Sequence, residues 1–136
     1  MAAWTLSTLR EGVVQMRGVP MGFDGKNRVP LVSSETRVLV DNVNANTTGA
    51  MQVGLMSSAL IEIYGTATSA KVDFFAIGAF GEKYPLQGVN VSTFETNVSG
   101  GMKQAWQVSV SALTELRVEV SGIAGGRVSV VVKAVS

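Results

Sequence analysis

The last third of the chain alternates between apolar and polar residues, and this pattern restricts the fold more than any other feature. Within residues 105–135 the alternation runs through three segments, 106–112, 116–121 and 128–133. Successive side chains of a β-strand point to opposite faces, so each segment predicts a half-buried antiparallel strand. The glycines of residues 121–126 predict a turn that joins the last two strands in a hairpin, because glycine adopts positive φ without steric cost.

Five more strand-like segments precede this meander, each bounded by turn-forming residues. They are Thr36–Asp41, Ala50–Leu55, Ala59–Tyr64, Ala70–Ala79 and Val89–Glu95. Short strands at regular spacing with turn signals between them are typical of sandwiches and barrels. We therefore predict an all-β fold, an antiparallel, jelly-roll-like β-sandwich of about eight strands with an N-terminal arm or short helix.

The N-terminal residues leave two structures open. Apolar residues recur at helical spacing within Thr5–Arg17, which predicts a short amphipathic helix. These residues are Leu6, Leu9, Val13 and Met16. Gly12 lies in the middle of the segment and costs about 1 kcal/mol relative to alanine in a helix, so an extended arm is favoured equally.

The next residues predict a boundary between two parts of the chain. Residues 18–30 contain glycines, prolines and the turn-forming pair Asp24–Gly25, so they are predicted to be a linker or loop. The chain then divides into an N-terminal arm and linker, residues 1–30, and a β-sandwich domain, residues 31–136. A chain of 136 residues suits one such core, since a domain of this size buries roughly two-thirds of its unfolded surface.

Charge and hydropathy argue against several kinds of partner. The formal net charge is +1 and only 15% of the residues are charged, whereas a nucleic-acid interface needs clustered lysine and arginine. No apolar run approaches the roughly 20 residues of a membrane span, and no basic region precedes an apolar core as in a signal peptide. We expect no nucleic-acid partner, no membrane contact and no secretory leader. The absence of cysteine fits synthesis in a reducing cytoplasm.

The chain lacks the residues of the commonest catalytic and metal sites. It contains no histidine and no cysteine, which removes the usual general base, the usual zinc ligands and any Ser-His or Cys-His nucleophile. Its ten acidic residues are mostly single, a distribution typical of solvated surface carboxylates. The oxygen-rich loop of residues 41–46 fits turn chemistry better than a calcium site. We predict a protein that is not an enzyme and holds no cofactor or metal.

The low charge also predicts contact with another subunit. Isolated domains usually carry charge on roughly a quarter to a third of their surface, and uncharged sheet edges promote aggregation. The segment Ala70–Ala79 is apolar on both faces, as expected of a strand covered on both sides. We predict a subunit interface at the residues outside the simplest inner-face pattern, Phe75, Ile77 and Phe80. Their truncation is expected to weaken assembly more than folding.

Strand-and-turn patterns with a family resemblance occur in five stretches, Gly22–Leu31, Ile61–Phe74, Tyr84–Asn90, Ala112–Gly122 and Gly125–Val130. Together they resemble a small β-sandwich domain of tailed-bacteriophage virion proteins, which include head fibres, head decoration proteins and tail adhesins. The resemblance implies a non-enzymatic structural role, often as a homotrimer or another symmetric oligomer, with the N-terminal part attached to the capsid or tail. It also implies location in the virion after synthesis in the bacterial host cytoplasm.

Two functional hypotheses follow from the resemblance. The first is a capsid decoration or head-fibre protein whose N-terminal segment docks on other virion proteins such as the major capsid protein. The apolar residues of this docking arm are Trp4, Leu9, Val13 and Met16. The second is a receptor- or glycan-binding module of a phage fibre or tail, with a host-surface glycan as its ligand. The residues of its candidate ligand loop are Asn44, Asn46, Tyr84 and Asn90.

Overall fold

The computed structural model describes residues 21–23, 28–30 and 33–136. All regular elements of these residues are β-strands, and their pairings are antiparallel, which confirms the predicted all-β antiparallel fold. The helix or arm predicted over residues 5–17 lies outside the described residues. The same is true of the docking residues Trp4, Leu9, Val13 and Met16.

The chain divides into two compact units between Ser33 and Ser34. In the first unit, strands β1 (Met21–Phe23) and β2 (Arg28–Pro30) pair as an antiparallel hairpin. The sequence predicts a linker or loop at this position. The described parts of that predicted linker, residues 21–23 and 28–30, are instead paired strands.

The second unit, residues 34–136, is a sandwich of two sheets. Its strands are β3 (Ser34–Val43), β4 (Thr47–Gln52), β5 (Ser58–Gly65), β6 (Ser69–Ile77), β7 (Lys83–Pro85), β8 (Gly88–Asn90), β9 (Thr96–Asn97), β10 (Ser99–Gly100), β11 (Gln104–Ser109), β12 (Glu115–Ala124) and β13 (Val128–Val135). The six-stranded sheet has the order β9-β8-β11-β5-β13-β3. The five-stranded sheet has the order β10-β6-β12-β4, with β7 also paired to β6. The predicted two-layer sandwich is confirmed.

The second half of the predicted strand Val89–Glu95 is wrong. β8 ends at Asn90, because the side-chain oxygen of Asn90 accepts hydrogen bonds from the backbone N–H groups of Ser92 (2.8 Å) and Thr93 (3.3 Å). Such local bonds compete with strand pairing. Phe94 then takes a left-handed conformation with φ 63°. The segment is a tight turn that leads into β9.

The core lies between the two sheets and is built from alternate residues of the longest strands. Phe74 and Trp106 meet across it with ring centroids 5.8 Å apart and an interplanar angle of 54°, a tilted arrangement that aromatic pairs favour. Burial of the following residues confirms the predicted inner face: Trp106, Val108, Val110, Leu116, Val118, Val120, Val128, Val130 and Val132. The alternation also assigns Ala112 to this face, which is wrong, because Ala112 is exposed in a turn with φ 66°.

The two edges of the sandwich are built differently. At the bulged edge, formed by β3 and β4, the register of β3 with β13 shifts twice between Val128 and Val131. Gly49 of β4 lies so close to β3 that a Cβ at residue 49 would overlap the carbonyl oxygen of Leu39. At the crossing edge, residues 84–100, the chain passes from one sheet to the other twice through the short strands β7, β8, β9 and β10.

Candidate interaction surfaces

The outward side of the six-stranded sheet carries few charges. Its residues follow from the cross-strand register, which places Gln107, Leu60 and Lys133 in one row and Ala105, Glu62 and Val131 in the next. We call this surface the neutral face and define it by Val38, Leu60, Glu62, Tyr64, Ala105, Gln107, Val131 and Lys133. Glu62 and Lys133 are its two charged members, so most of this face is apolar or uncharged.

The outward side of the five-stranded sheet is charged and internally paired. We call it the ion-paired face and define it by Phe75 and three ion pairs: Arg117–Glu115 (2.9 Å between nitrogen and oxygen), Lys83–Glu119 (2.8 Å) and Lys71–Asp73 (3.6 Å). The ammonium of Lys83 also lies 4.4 Å from the ring centroid of Phe75, a cation–π contact. Each of these cations has a carboxylate partner, so the face presents little unbalanced charge.

The three residues predicted to form a subunit interface do not share one surface. Phe75 is half-buried on the ion-paired face, beneath Lys83. Ile77 lies on the same strand but is only 5% exposed, so its side chain is already covered within the chain. Phe80 lies in the turn between β6 and β7 and is 97% exposed. Their role in assembly stays a prediction, and Phe80 is the member most available to a neighbour.

The four residues of the candidate ligand loop are also separated. Asn44 and Asn46 are exposed between β3 and β4, at the bulged edge. Tyr84 and Asn90 lie on β7 and β8, at the crossing edge. Asn90 is buried, and its side-chain oxygen already accepts two backbone hydrogen bonds. The structure therefore leaves Tyr84 as the aromatic side chain of this set that a ligand can reach.

The crossing edge is a surface that the sequence analysis missed. Of the nine exposed large hydrophobic side chains in residues 33–136, five lie here: Tyr84, Val89, Val91, Phe94 and Val98. Glu95 is the one charged residue among residues 84–100. The sequence does carry a signal for this surface. It is a run with few charges whose apolar residues do not alternate strictly with polar ones. Part of this run, Val89–Glu95, is predicted above to be a strand, because a strand pattern and an exposed apolar surface have the same composition.

Phe94 is the most prominent residue of the crossing edge. Its side chain is 78% exposed, and its backbone is left-handed with φ 63°. A bulky residue in this conformation is a steric outlier that costs about 1–2 kcal/mol relative to a right-handed one. The turn is held by hydrogen bonds from Phe94 N–H to the Asn90 carbonyl (2.8 Å) and from Asn90 N–H to the Glu95 carbonyl (2.8 Å). The fold thus presents an apolar ring on a firmly bonded turn.

Two further features concern residues 21–23, 28–30 and 33–136. Within these ranges, no three acidic residues come together in a way that could hold a metal ion. Over the same part of the chain, no helix has the length and apolar character needed to cross a membrane.

The fold and its surfaces define the class of protein: a small antiparallel β-sandwich domain whose distinctive side chains lie on its outer faces and edges. Residues 33–134 match the XepA family, and the chain belongs to that family. The chain is 31% identical over 115 residues to the phage-like element PBSX protein XepA of Bacillus subtilis strain 168, a match that covers 83% of this chain and 41% of the relative.

A second relative from the same organism is the uncharacterized protein YqxG. It is 35% identical over 86 residues, which cover 62% of this chain and 29% of YqxG. The chain therefore spans less than half the length of these two relatives. Neither name refers to an enzymatic activity.

Two solved structures resemble the sandwich. The crystal structure of the PBSX exported protein XepA superimposes with a TM-score of 0.78 at 28% identity, covering 92% of this chain and 48% of XepA. The crystal structure of the SPBc2 prophage-derived protein YomS gives a TM-score of 0.75 at 23% identity, covering 82% of this chain and all of YomS. The likeness to YomS supports the fold alone. Family and relatives together place the chain among phage-derived proteins.

Proposed function

We propose that the chain is a non-enzymatic structural protein of a phage particle, a capsid decoration or head-fibre component that assembles as a symmetric oligomer. Its membership of the XepA family supports a phage origin. The observation that carries the proposal is the crossing edge, where five exposed apolar side chains share residues 84–100 with a single charged residue. Large exposed apolar patches on soluble domains commonly mark interaction sites.

The neighbour at this edge is another copy of the chain, in a homotrimer or another closed symmetric assembly. Burial of apolar surface contributes roughly 25 cal/mol per Å² in such a contact, and the few charges of the edge keep the desolvation cost low. The steric strain of the Phe94 backbone is not offset by packing of its side chain within the domain, because the ring is exposed. Burial of that ring in a neighbour supplies the missing reason for keeping phenylalanine there.

The N-terminal segment is the proposed attachment to the particle. Its apolar residues Trp4, Leu9, Val13 and Met16 dock on another virion protein, such as the major capsid protein, and the assembled protein resides in the virion. The full-length variant with Trp4→Ser and Leu9→Ser is expected to keep its solution mass and to lose binding to capsids assembled from the major capsid protein. Capsid binding equal to that of the unaltered protein would exclude this arm as the attachment.

The oligomer is tested by sedimentation velocity on the full chain. The unaltered protein is expected to sediment as one symmetric species, and Phe94→Ser combined with Val91→Ser is expected to weaken association at least tenfold, as for a hot-spot truncation of about 2 kcal/mol. Leu55→Ser is the matched control, because Leu55 is equally apolar and 90% exposed but lies outside the crossing edge. A monomeric unaltered protein, or a variant that associates normally, would contradict the proposal.

The exposed ring of Tyr84 favours a second candidate function, a receptor- or glycan-binding module. Exposed aromatic rings give sugars an apolar surface to stack on while their hydroxyl group remains in water. A glycan-array signal from the full chain that disappears in Tyr84→Ala and persists in Phe80→Ala would support this role. The absence of any array signal from the unaltered protein would remove it.

A further inference from the structure

Two polar side chains are buried within residues 33–136, and each of them supports a residue with a left-handed backbone. Asn90 and Ser129 are both 6% exposed. The hydroxyl oxygen of Ser129 accepts a hydrogen bond from the N–H of Asn42 (2.9 Å), whose φ is 53°. The side-chain oxygen of Asn90 accepts bonds from the residues just before Phe94, whose φ is 63°. Asparagine adopts this conformation readily and phenylalanine does not, so Asn90 supports the less favourable of the two.

The turn that carries Phe94 is bonded throughout to Asn90. The side-chain oxygen of Asn90 accepts hydrogen bonds from the N–H groups of Ser92 (2.8 Å) and Thr93 (3.3 Å). Its carbonyl oxygen accepts a bond from the N–H of Phe94 (2.8 Å), and its own N–H donates to the carbonyl oxygen of Glu95 (2.8 Å). One buried residue therefore makes a hydrogen bond to each residue from 92 to 95.

Asn90 is itself fixed to the six-stranded sheet. It pairs with Trp106 of β11, which is 4% exposed, and the next residue, Val91, donates its N–H to the carbonyl oxygen of Ala105 (3.0 Å). Among the described residues, the side-chain nitrogen of Asn90 donates no hydrogen bond. The side chain therefore acts through its oxygen, and both bonds to that oxygen come from the turn.

We propose that Asn90 is a positioning residue for the subunit contact at the crossing edge. It sets residues 91–95 in place before association, so that the ring of Phe94, 78% exposed, already has the position that the neighbouring copy contacts. A turn that is ordered in the free protein avoids a loss of backbone entropy on binding. This inference rests on the proposed oligomer and adds to it a buried residue that shapes the contact without touching the neighbour.

Sedimentation velocity on full-length variants separates positioning from stability. Asn90→Ala removes the acceptor oxygen and is expected to weaken association about tenfold, the factor that corresponds to ordering one backbone residue on binding. Asn90→Asp keeps an oxygen at the same place for the two backbone N–H groups and should restore most of the association. Ser129→Ala is the matched control, because it removes the other buried polar group. It should also lower the urea midpoint of unfolding, but it should leave association unchanged.

Hydrogen exchange of the dissociated variants reports on the turn directly. In the unaltered protein the Phe94 amide is expected to be protected, because it is bonded to the carbonyl oxygen of Asn90. Protection should fall at least tenfold in Asn90→Ala, which keeps that carbonyl group but loses the side chain that orders the turn. It should persist in Ser129→Ala. Unchanged protection in Asn90→Ala would show that the turn forms without the side chain and would overturn the proposal.

The outcomes distinguish failure of this inference from failure of the oligomer. An unaltered protein that sediments as a monomer would contradict the oligomer itself and leave no contact for Asn90 to shape. Normal association of a folded Asn90→Ala protein, beside weakened association of the double variant Phe94→Ser and Val91→Ser, would overturn the role of Asn90 alone. Thr93→Ala serves where Asn90→Ala does not fold, because it removes only an exposed hydroxyl that accepts a bond from the N–H of Glu95 (3.3 Å). It is expected to weaken association about threefold, and no change would again refute the positioning role.

Discussion

The two edges of the sandwich differ in the features that limit pairing with a strand of another chain. A sheet edge presents unpaired backbone groups that can pair with another chain. At the bulged edge, β3 shifts register twice against β13 and carries Glu35, Arg37 and Asp41. At the crossing edge, the strands have only two or three residues, and the surface between Tyr84 and Gly100 has a single charge.

This difference indicates which kind of contact each edge permits. Bulges and charges at β3 twist and solvate a long strand, so they oppose the addition of another strand. Short strands at the crossing edge also give little backbone to pair with, yet their side chains are apolar and exposed. The partner proposed for the crossing edge would therefore pack against side chains, whereas the bulged edge opposes pairing with the strand of another chain.

The largest expected effect tests how tightly β3 and β4 pack against each other at the bulged edge. A Cβ in Gly49→Ala would overlap the carbonyl oxygen of Leu39 and lie 2.8 Å from its Cβ, so the backbone of β3 or β4 must move. We expect a loss of about 3 kcal/mol in the free energy of unfolding, the upper part of the range for overpacking. Gly54→Ala is the control, because no atom lies within 4 Å of that Cβ position. Urea unfolding midpoints that agree for the two variants would show that β3 and β4 are not tightly packed at the bulged edge.

The corresponding glycine of the crossing edge, Gly100, is expected to have a smaller effect. In Gly100→Ala the new Cβ would overlap Nε1 of Trp106 and lie 2.8 Å from its Cδ1, and a side chain can shift where a backbone cannot. We expect a loss of about 2 kcal/mol, together with a broken bond from Trp106 Nε1 to Gln104 Oε1, which is 3.1 Å long. Trp106 fluorescence in a Trp4→Phe background should shift to longer wavelength. Unchanged fluorescence with normal stability would mean that the sheets have room to separate here.

Two residues with left-handed backbone conformations separate effects on stability from effects on association. Phe94→Gly and Ala112→Gly both remove side chains from left-handed positions, φ 63° and 66°. Each is expected to raise the stability of the dissociated protein by up to about 1 kcal/mol, because glycine adopts this conformation without strain. Association should weaken only in Phe94→Gly, since Ala112 lies in the turn before β12 and not on the crossing edge. Equal association of the two variants, measured by sedimentation, would remove Phe94 from the interface.

The alternation of residues predicts the long strands well because burial on one face imposes a period of two. Trp106, Val108 and Val110 are inside as expected, and the same rule fails at Ala112, where the chain turns. The rule also assigned Val89–Glu95 to one strand, since it does not register the hydrogen bonds by which Asn90 starts a turn.

The candidate surfaces were harder to predict than the strands. Composition does not distinguish an apolar residue that fills a core from one that meets a neighbour. Ile77 is buried and Phe94 is exposed, although both lie in apolar stretches. The row of the neutral face in which Leu60 lies between Gln107 and Lys133 requires the register of three strands, which no local pattern contains.

The smallest expected effect tests whether charge contributes to the proposed contact between subunits at the crossing edge. Lys83 begins β7 at the border of that edge, with Glu119 2.8 Å away and the Phe75 ring centroid 4.4 Å away. Because its side chain is 43% exposed, Lys83→Met should cost less than about 1 kcal/mol, and salt should reduce that cost further. The solution mass should not change, since the proposed contact depends on apolar side chains such as Phe94. A variant that dissociates would place an ion pair inside the interface and assign the contact to the ion-paired face.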